Sequence, residues 1–162
     1  MEQENFTVND FYGAIREGDL DKVQAVLKQH PDWLEYRDER GSTPLLLATY
    51  YGHKEMSAFL LDTGAEINVA DGSGNTPLMG VCFKGFLEIA EMLIEQGADV
   101  NHQSAMGATA LIYAASFNKF EIAQSLLRAG AKTDFRDSRG MTAIDHAEMQ
   151  AADRLMALLK QN

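Results

Sequence analysis

Four threonines, Thr43, Thr76, Thr109 and Thr142, stand 33 residues apart along this chain, each from the next. Gly41, Gly74, Gly107 and Gly140 keep the same interval two residues ahead of them. A third column is Gly64, Gly97 and Gly130, each followed by an alanine (Ala65, Ala98, Ala131), and a fourth is Glu55, Glu88 and Glu121. Columns in register over three or four copies mean that one short unit has been repeated. A period of this length marks a stacked repeat architecture.

Each column has a physical reason. In Gly41-Ser42-Thr43-Pro44-Leu45 the glycine admits the positive φ of a tight turn. The threonine can cap a helix, and proline suits the first helical position because its missing N–H has no partner there in any case. The spacing predicts a helix over about 43–51, ending near Gly52, and a second over about 53–62. Met56, Phe59, Leu60 and Leu61 share one face of the second helix. Gly64 falls where a left-handed residue ends a helix, and Ala65 to Gly74 returns as an extended loop. A helix pair this small cannot bury its apolar face alone and must stack on copies of itself.

The units are placed at about 5–37, 38–70, 71–103, 104–136 and 137–162, a single domain over 5–162 preceded by a flexible segment 1–4. The first unit is degenerate: Ala14-Ile15-Arg16-Glu17-Gly18-Asp19-Leu20 keeps the junction between its helices, and Val23, Val26 and Leu27 continue the apolar face. Its return loop, His30-Pro31-Asp32-Trp33-Leu34, is one residue longer than the others. The last unit stops in its second helix, Asp153 to Lys160, and reads as one residue short near Ala151. Lys22 and Arg154 occupy positions that are otherwise apolar, as end caps require.

The combination of Thr43-Pro44-Leu45, Gly52-His53-Lys54-Glu55 and Gly64-Ala65-Glu66-Ile67-Asn68 resembles the ankyrin-repeat family. Thr76-Pro77-Leu78, Gly85-Phe86-Leu87-Glu88-Ile89 and Gly97-Ala98-Asp99-Val100-Asn101 repeat it, as do Thr109-Ala110-Leu111, Asn118-Lys119-Phe120-Glu121-Ile122 and Gly130-Ala131. The resemblance covers nearly the whole chain. It implies an all-α repeat, an ankyrin-repeat α-solenoid of stacked helix-turn-helix units with protruding β-hairpin-like loops. The looser Thr109-Ala110-Leu111-Ile112-Tyr113-Ala114-Ala115 looks more like bacterial members. In the family a histidine usually follows Thr-Pro-Leu and ties neighbouring loops together. Here Leu46, Met79, Ile112 and Asp145 hold that place, and Ala110 and Ala143 replace proline, so apolar packing is expected to carry more of the stability between units.

Composition narrows the function. The 46% apolar and 23% charged content is that of a soluble folded chain. A net charge of −10 without a cluster of Lys and Arg argues against nucleic acid or an anionic membrane. Met1 to Phe6 has no basic or apolar signal-peptide stretch, and no segment approaches the roughly 20 apolar residues of a membrane span. Cys82 is the single cysteine, which excludes an intrachain disulfide and fits a reducing, cytoplasmic location.

Catalytic and metal readings are weak. Cys82 shares a helix-interface column with Thr49 and Ala115 and is expected as a packed thiol. Asp145-His146-Ala147-Glu148 has the residue types of a metal or acid–base cluster, but neighbours on a helix point in different directions; His146 is read as a terminal-cap histidine. His30, His53 and His102 share no ligand spacing. Asp71-Gly72-Ser73-Gly74-Asn75-Thr76 looks like a calcium or phosphate loop, yet its twelfth position is Cys82 rather than a glutamate and it lacks a Gly-Lys-Ser/Thr ending. No cofactor or metal is expected.

The resemblance implies that partners dock on the hairpin tips and the exposed ends of the first helices. Carried over by register, this selects Arg16, Tyr50, Tyr51, Phe83, Lys84, Phe117 and Met149 on helices, and Arg40, Met106, Arg139 and Met141 at loop tips. Aromatics and methionine in such a row are what interface cores use. Arg37, Arg40, Arg136 and Arg139 are expected to flank the strip, favouring an apolar partner segment with acidic flanks. The chain is therefore read as a non-catalytic module binding another protein on its concave face and loop tips, monomeric when alone. The alternatives are a small-ligand binder or thiol-dependent enzyme using the groove near Cys82, and a structural protein that associates with itself.

Overall fold

The computed structural model describes residues 5–162; the segment 1–4, expected to be flexible, lies outside the described residues. Among the described residues ten α-helices follow one another in pairs: α1 (Val8–Glu17) with α2 (Leu20–Gln29), α3 (Pro44–Tyr50) with α4 (Lys54–Thr63), and α5 (Pro77–Lys84) with α6 (Leu87–Glu95). Then come α7 (Ala110–Ser116) with α8 (Phe120–Arg128), and α9 (Ala143–Met149) with α10 (Asp153–Lys160). Each odd-numbered helix packs on the odd-numbered helix of the next pair, forming an inner row. No strand is formed among the described residues; a hairpin loop precedes each inner helix from α3 onward.

The threonine column starts the inner helices. Thr43, Thr76, Thr109 and Thr142 each accept the N–H of the residue three positions on, at 3.2 Å for Thr109 and 3.4 Å for Thr43. Each thus satisfies one of the orphan donors of the first turn. At the two ends of the stack, in α1 and α9, the cap is reciprocal: Asp10 and Asp145 accept in return the backbone N–H of Thr7 and Thr142. That is what Asp145 does in place of the family's histidine.

Two further columns build the core. Leu45, Leu78 and Leu111 on the inner helices, and Leu60, Leu93, Leu126 and Leu159 on the outer ones, are at most 1% exposed. Each such burial contributes about 1.5–3 kcal/mol. Ala48, Val81, Ala114 and Ala147, also fully buried, are small enough for the inner helices to approach closely.

The last unit is not one residue short. Helix α9 begins at Ala143, 33 residues after Ala110, and α10 at Asp153, 33 after Phe120. Ala151 takes the inter-helix turn position held by Gly52, Gly85 and Asn118, and adopts its left-handed backbone with φ 48°. The extra residue of the first unit is real: a 3-10 turn over Pro31–Glu35 takes up the longer return loop.

Nor do the loops lack hydrogen bonds to one another. Gly72 N–H donates to the Arg40 carbonyl at 3.2 Å, Ala105 N–H to Ser73 at 3.0 Å, and Ser138 N–H to Met106 at 2.9 Å. Arg37 Nη1 adds bonds to the carbonyls of Gly41 (2.8 Å) and Ala70 (2.7 Å), spanning two hairpins. The main chain thus supplies what the missing histidines would have.

Candidate protein-binding groove

The C-terminal ends of α3, α5 and α7 lie side by side, and each bears an aromatic residue at or next to its last position: Tyr50, Phe83 and Phe117. The Tyr50 and Phe83 rings are parallel within 6°, with centroids 6.4 Å apart. Phe83 meets Phe117 edge to face at 4.8 Å and 84°, and Tyr51 meets Tyr50 edge to face at 5.7 Å. These separations lie in the attractive range for aromatic pairs. The rings nonetheless remain open to water: Tyr50 is 39% exposed, Phe83 40% and Phe117 44%. The Lys84 ammonium lies 5.0 Å from the centre of the Tyr50 ring, within cation–π reach.

Two hollows border the row. One, of about 650 Å³, opens between α3 and α5 beneath the hairpin tips, with Arg40, Tyr50, Phe83 and Tyr113 on its walls. The other, of about 730 Å³, lies towards the N-terminal unit with Tyr12, Arg16 and Tyr36. Arg40, Leu47 and Tyr51 belong to both, so the two form one groove.

Of the residues selected by register, the structure brings Tyr50, Tyr51, Phe83, Lys84 and Phe117 into mutual contact and places Arg16 and Arg40 along the groove. Met106 and Met149, each 63% exposed, line neither hollow. Arg139 is exposed at the last hairpin tip, whereas Met141 is partly buried. Of the expected flanking charges, Arg37 lines the second hollow and also bonds the carbonyls of Gly41 and Ala70, while Arg136 lines neither hollow and braces its own hairpin through the Gly140 carbonyl at 2.7 Å.

Register alone missed Tyr113, Tyr12 and Tyr36. Tyr113 donates its hydroxyl proton to Asn75 Oδ1 at 2.8 Å. Tyr12 donates to the carbonyls of Tyr36 at 2.7 Å and Ser42 at 3.0 Å. Burial pushes both phenols up. The signal for Tyr113 was its column, shared with Leu47, Gly80 and His146, which faces the hairpins.

The chemistry-bearing residues have structural tasks. Cys82 is fully buried in α5, and burial pushes its thiol up, so the thiol does not open into the groove. His146 Nε2 lies 2.7 Å from Asp137 Oδ2. His53 Nε2 is 2.9 Å from the Arg16 carbonyl oxygen, His102 Nε2 is 3.2 Å from that of Gly74, and His30 stacks on Trp33. Asp71 Oδ1 accepts the N–H groups of Ser73 and Asn75, closing its hairpin. Among the described residues no three His, Cys, Asp or Glu side chains gather as a metal site, and no helix is long and apolar enough to cross a membrane.

Comparison with known proteins agrees with the repeat geometry. A family model for ankyrin repeats (3 copies) matches residues 11–104, and a second, for ankyrin repeats (many copies), matches residues 87–147. An ankyrin repeat protein of Rickettsia felis is 36% identical over 67 residues, covering 41% of this chain and 22% of that protein. Human NAD-capped RNA hydrolase NUDT12 is 34% identical over 64 residues, covering 40% of this chain and 14% of its own length. This chain therefore spans less than a quarter of either relative. With the first family model matching more than half of its length and the repeat columns seated on stacked helix pairs, the chain belongs to the ankyrin-repeat family, whose members generally serve as protein–protein interaction modules.

Proposed function

We propose that this chain binds another protein on its concave face, using the groove along the ends of α3, α5 and α7, and that it does so without catalysis. The observation that carries this is the run Tyr50–Phe83–Phe117: three rings touching across three units, each about two-fifths exposed. A contiguous exposed apolar strip marks an interaction site, and aromatic side chains are the usual anchors of interface energy. Arg16 and Arg40 line the groove and Lys84 lies over the Tyr50 ring, in a chain whose net charge is −10. That balance favours a protein partner over nucleic acid or an anionic membrane.

In this reading the chain is a monomer until it meets its partner and works in a reducing, cytoplasmic setting, supported by its single buried cysteine. The test replaces Tyr50, Phe83 and Phe117 together by alanine. The variant is expected to keep its helical circular dichroism and cooperative melt while losing the partner that wild type retains in affinity purification from the native source. Recovery of the same partner by both proteins would sink the proposal.

A further inference from the structure

Helix α5 carries a glycine where its neighbours carry bulk. Gly80 stands in the column of Leu47, Tyr113 and His146. It lies inside Pro77–Lys84, away from both helix ends, and its backbone is not in the positive-φ region. A Cβ placed on it meets a single neighbour within 4 Å, Tyr50 Cδ2 at 3.7 Å, an ordinary van der Waals contact. Neither conformation nor packing demands glycine there, and glycine within a helix is less stable than alanine.

What the missing side chain leaves is space. The hollow of about 650 Å³ opens over Gly80, with Leu47, Tyr50, Phe83 and Tyr113 as its apolar wall and Arg40 and Asn75 at its polar end. Pockets of about 300–1,000 Å³ admit compact ligand groups, so this one has room for an aromatic side chain and the main chain that bears it. Arg40 and Lys84 beside it form no ion pair among the described residues. The nearby Asp71 and Asp38 each spend one carboxylate oxygen on two N–H groups of their own hairpins. Asp71 lines this hollow and Asp38 and Glu39 the adjoining one, and Arg40, shared by both hollows, and Lys84, over the Tyr50 ring, are the cations beside Gly80 left to meet a partner's carboxylate.

We propose that the hollow over Gly80 receives one large apolar side chain, aromatic or leucine-sized, from a linear segment of the partner protein, and that an aspartate or glutamate beside it in that segment meets Arg40 and Lys84. This rests on the partner-binding reading above and narrows it to a socket, an anchor and a charge.

The test pans a displayed library of random linear peptides on the full chain and titrates the selected peptides against variants. Enriched peptides are expected to share one large apolar residue with an acidic residue next to it. Gly80→Leu, which copies Leu47 at the same register and so suits the fold, is expected to weaken binding by about thirtyfold or more. Gly80→Ala is expected to weaken it less, and both variants to melt no lower than wild type. Arg40→Glu combined with Lys84→Glu is expected to shift the enriched flank from acidic to basic. Peptides that bind Gly80→Leu as tightly as wild type, yet are lost on the triple aromatic variant, would overturn the socket and leave the groove standing. Peptides indifferent to both would overturn socket and groove together. A library that yields no binder, or binders with basic flanks on wild type, overturns the linear acidic segment.

Discussion

His146 Nε2 sits 2.7 Å from Asp137 Oδ2, joining α9 to the hairpin that precedes it, with both side chains only 10% exposed. Asp137 Oδ1 meanwhile accepts the N–H groups of Arg139 and Met141, so one carboxylate organises the whole terminal hairpin. Burial pushes this carboxyl up, but the bonds from Met141, His146 and Arg139 outweigh it and hold it below its ordinary value of 3.8. Asp145, bonded by the Thr142 N–H and hydroxyl, is also held low.

The sign of the pH effect follows. A carboxyl that loses its proton more readily in the folded state adds stability above the ordinary value, and that stability is lost as pH falls through the folded value. Wild type is expected to lose melting temperature below about pH 4. Asp137→Asn is expected to melt lower at pH 7, by about 2–4 °C for each kcal/mol lost, and to show a shallower fall in acid. Parallel acid curves for the two proteins would show that Asp137 is not a source of the acid sensitivity.

Gly74 and Gly140 share a backbone conformation, with φ 76° each, but not a neighbourhood. A Cβ on Gly74 would come 2.8 Å from the backbone nitrogen of Ala105 in the next hairpin, whereas one on Gly140 meets nothing within 4 Å. Alanine at either site bears the left-handed penalty of about 1–2 kcal/mol. Only Gly74→Ala must also push the next hairpin away and strain the Ala105 N–H to Ser73 bond. Its loss in chemical denaturation is expected to be about twice that of Gly140→Ala. Equal losses would mean that hairpin-to-hairpin contact adds nothing to stability.

The parts of this fold legible in the sequence are those that recur. Thr43 and its copies marked helix starts, and the glycine columns marked turns, because each does the same physical task every 33 residues. The bonds between hairpins left no trace, since main-chain N–H and C=O groups join them and any residue supplies those. The His146–Asp137 pair has no precedent in its column, where Leu47 and Gly80 cannot make such a bond. The groove was legible at its aromatic edge. The hollow over Gly80 was not, because a missing side chain in one copy reads as a weak helix residue until its neighbours are seen around it.

Ala151 shows the same effect for the register. Without the glycine of Gly52 and Gly85, the turn between α9 and α10 looked shortened, yet the backbone keeps the left-handed turn at φ 48°. Asn118, at φ 51°, tolerates this conformation better than alanine does. Ala151→Gly relieves about 1–2 kcal/mol of strain and gives back part of it through the greater freedom of the unfolded chain. The net gain is expected near 0.5–1 kcal/mol, roughly a 1–4 °C higher melting temperature. Ala151→Asn is expected to gain less. A lower melting temperature for Ala151→Gly would place the strain elsewhere.

The thiol separates a binding protein from a nucleophilic one. Cys82 lies fully buried between the inner helices, in the column of Thr49 and Ala115, and burial pushes its thiol up. A reagent can reach it only when the stack opens locally, and the nucleophilic thiolate is scarce even then. Native protein is therefore expected to react with a disulfide labelling reagent about a hundredfold or more slowly than the same chain in urea. Peptide bound in the groove should slow labelling further or leave it unchanged, because it stabilises the closed stack. Rapid labelling of the native protein at neutral pH would show an accessible, activated thiolate, and the groove would then have to be considered as a site of chemistry.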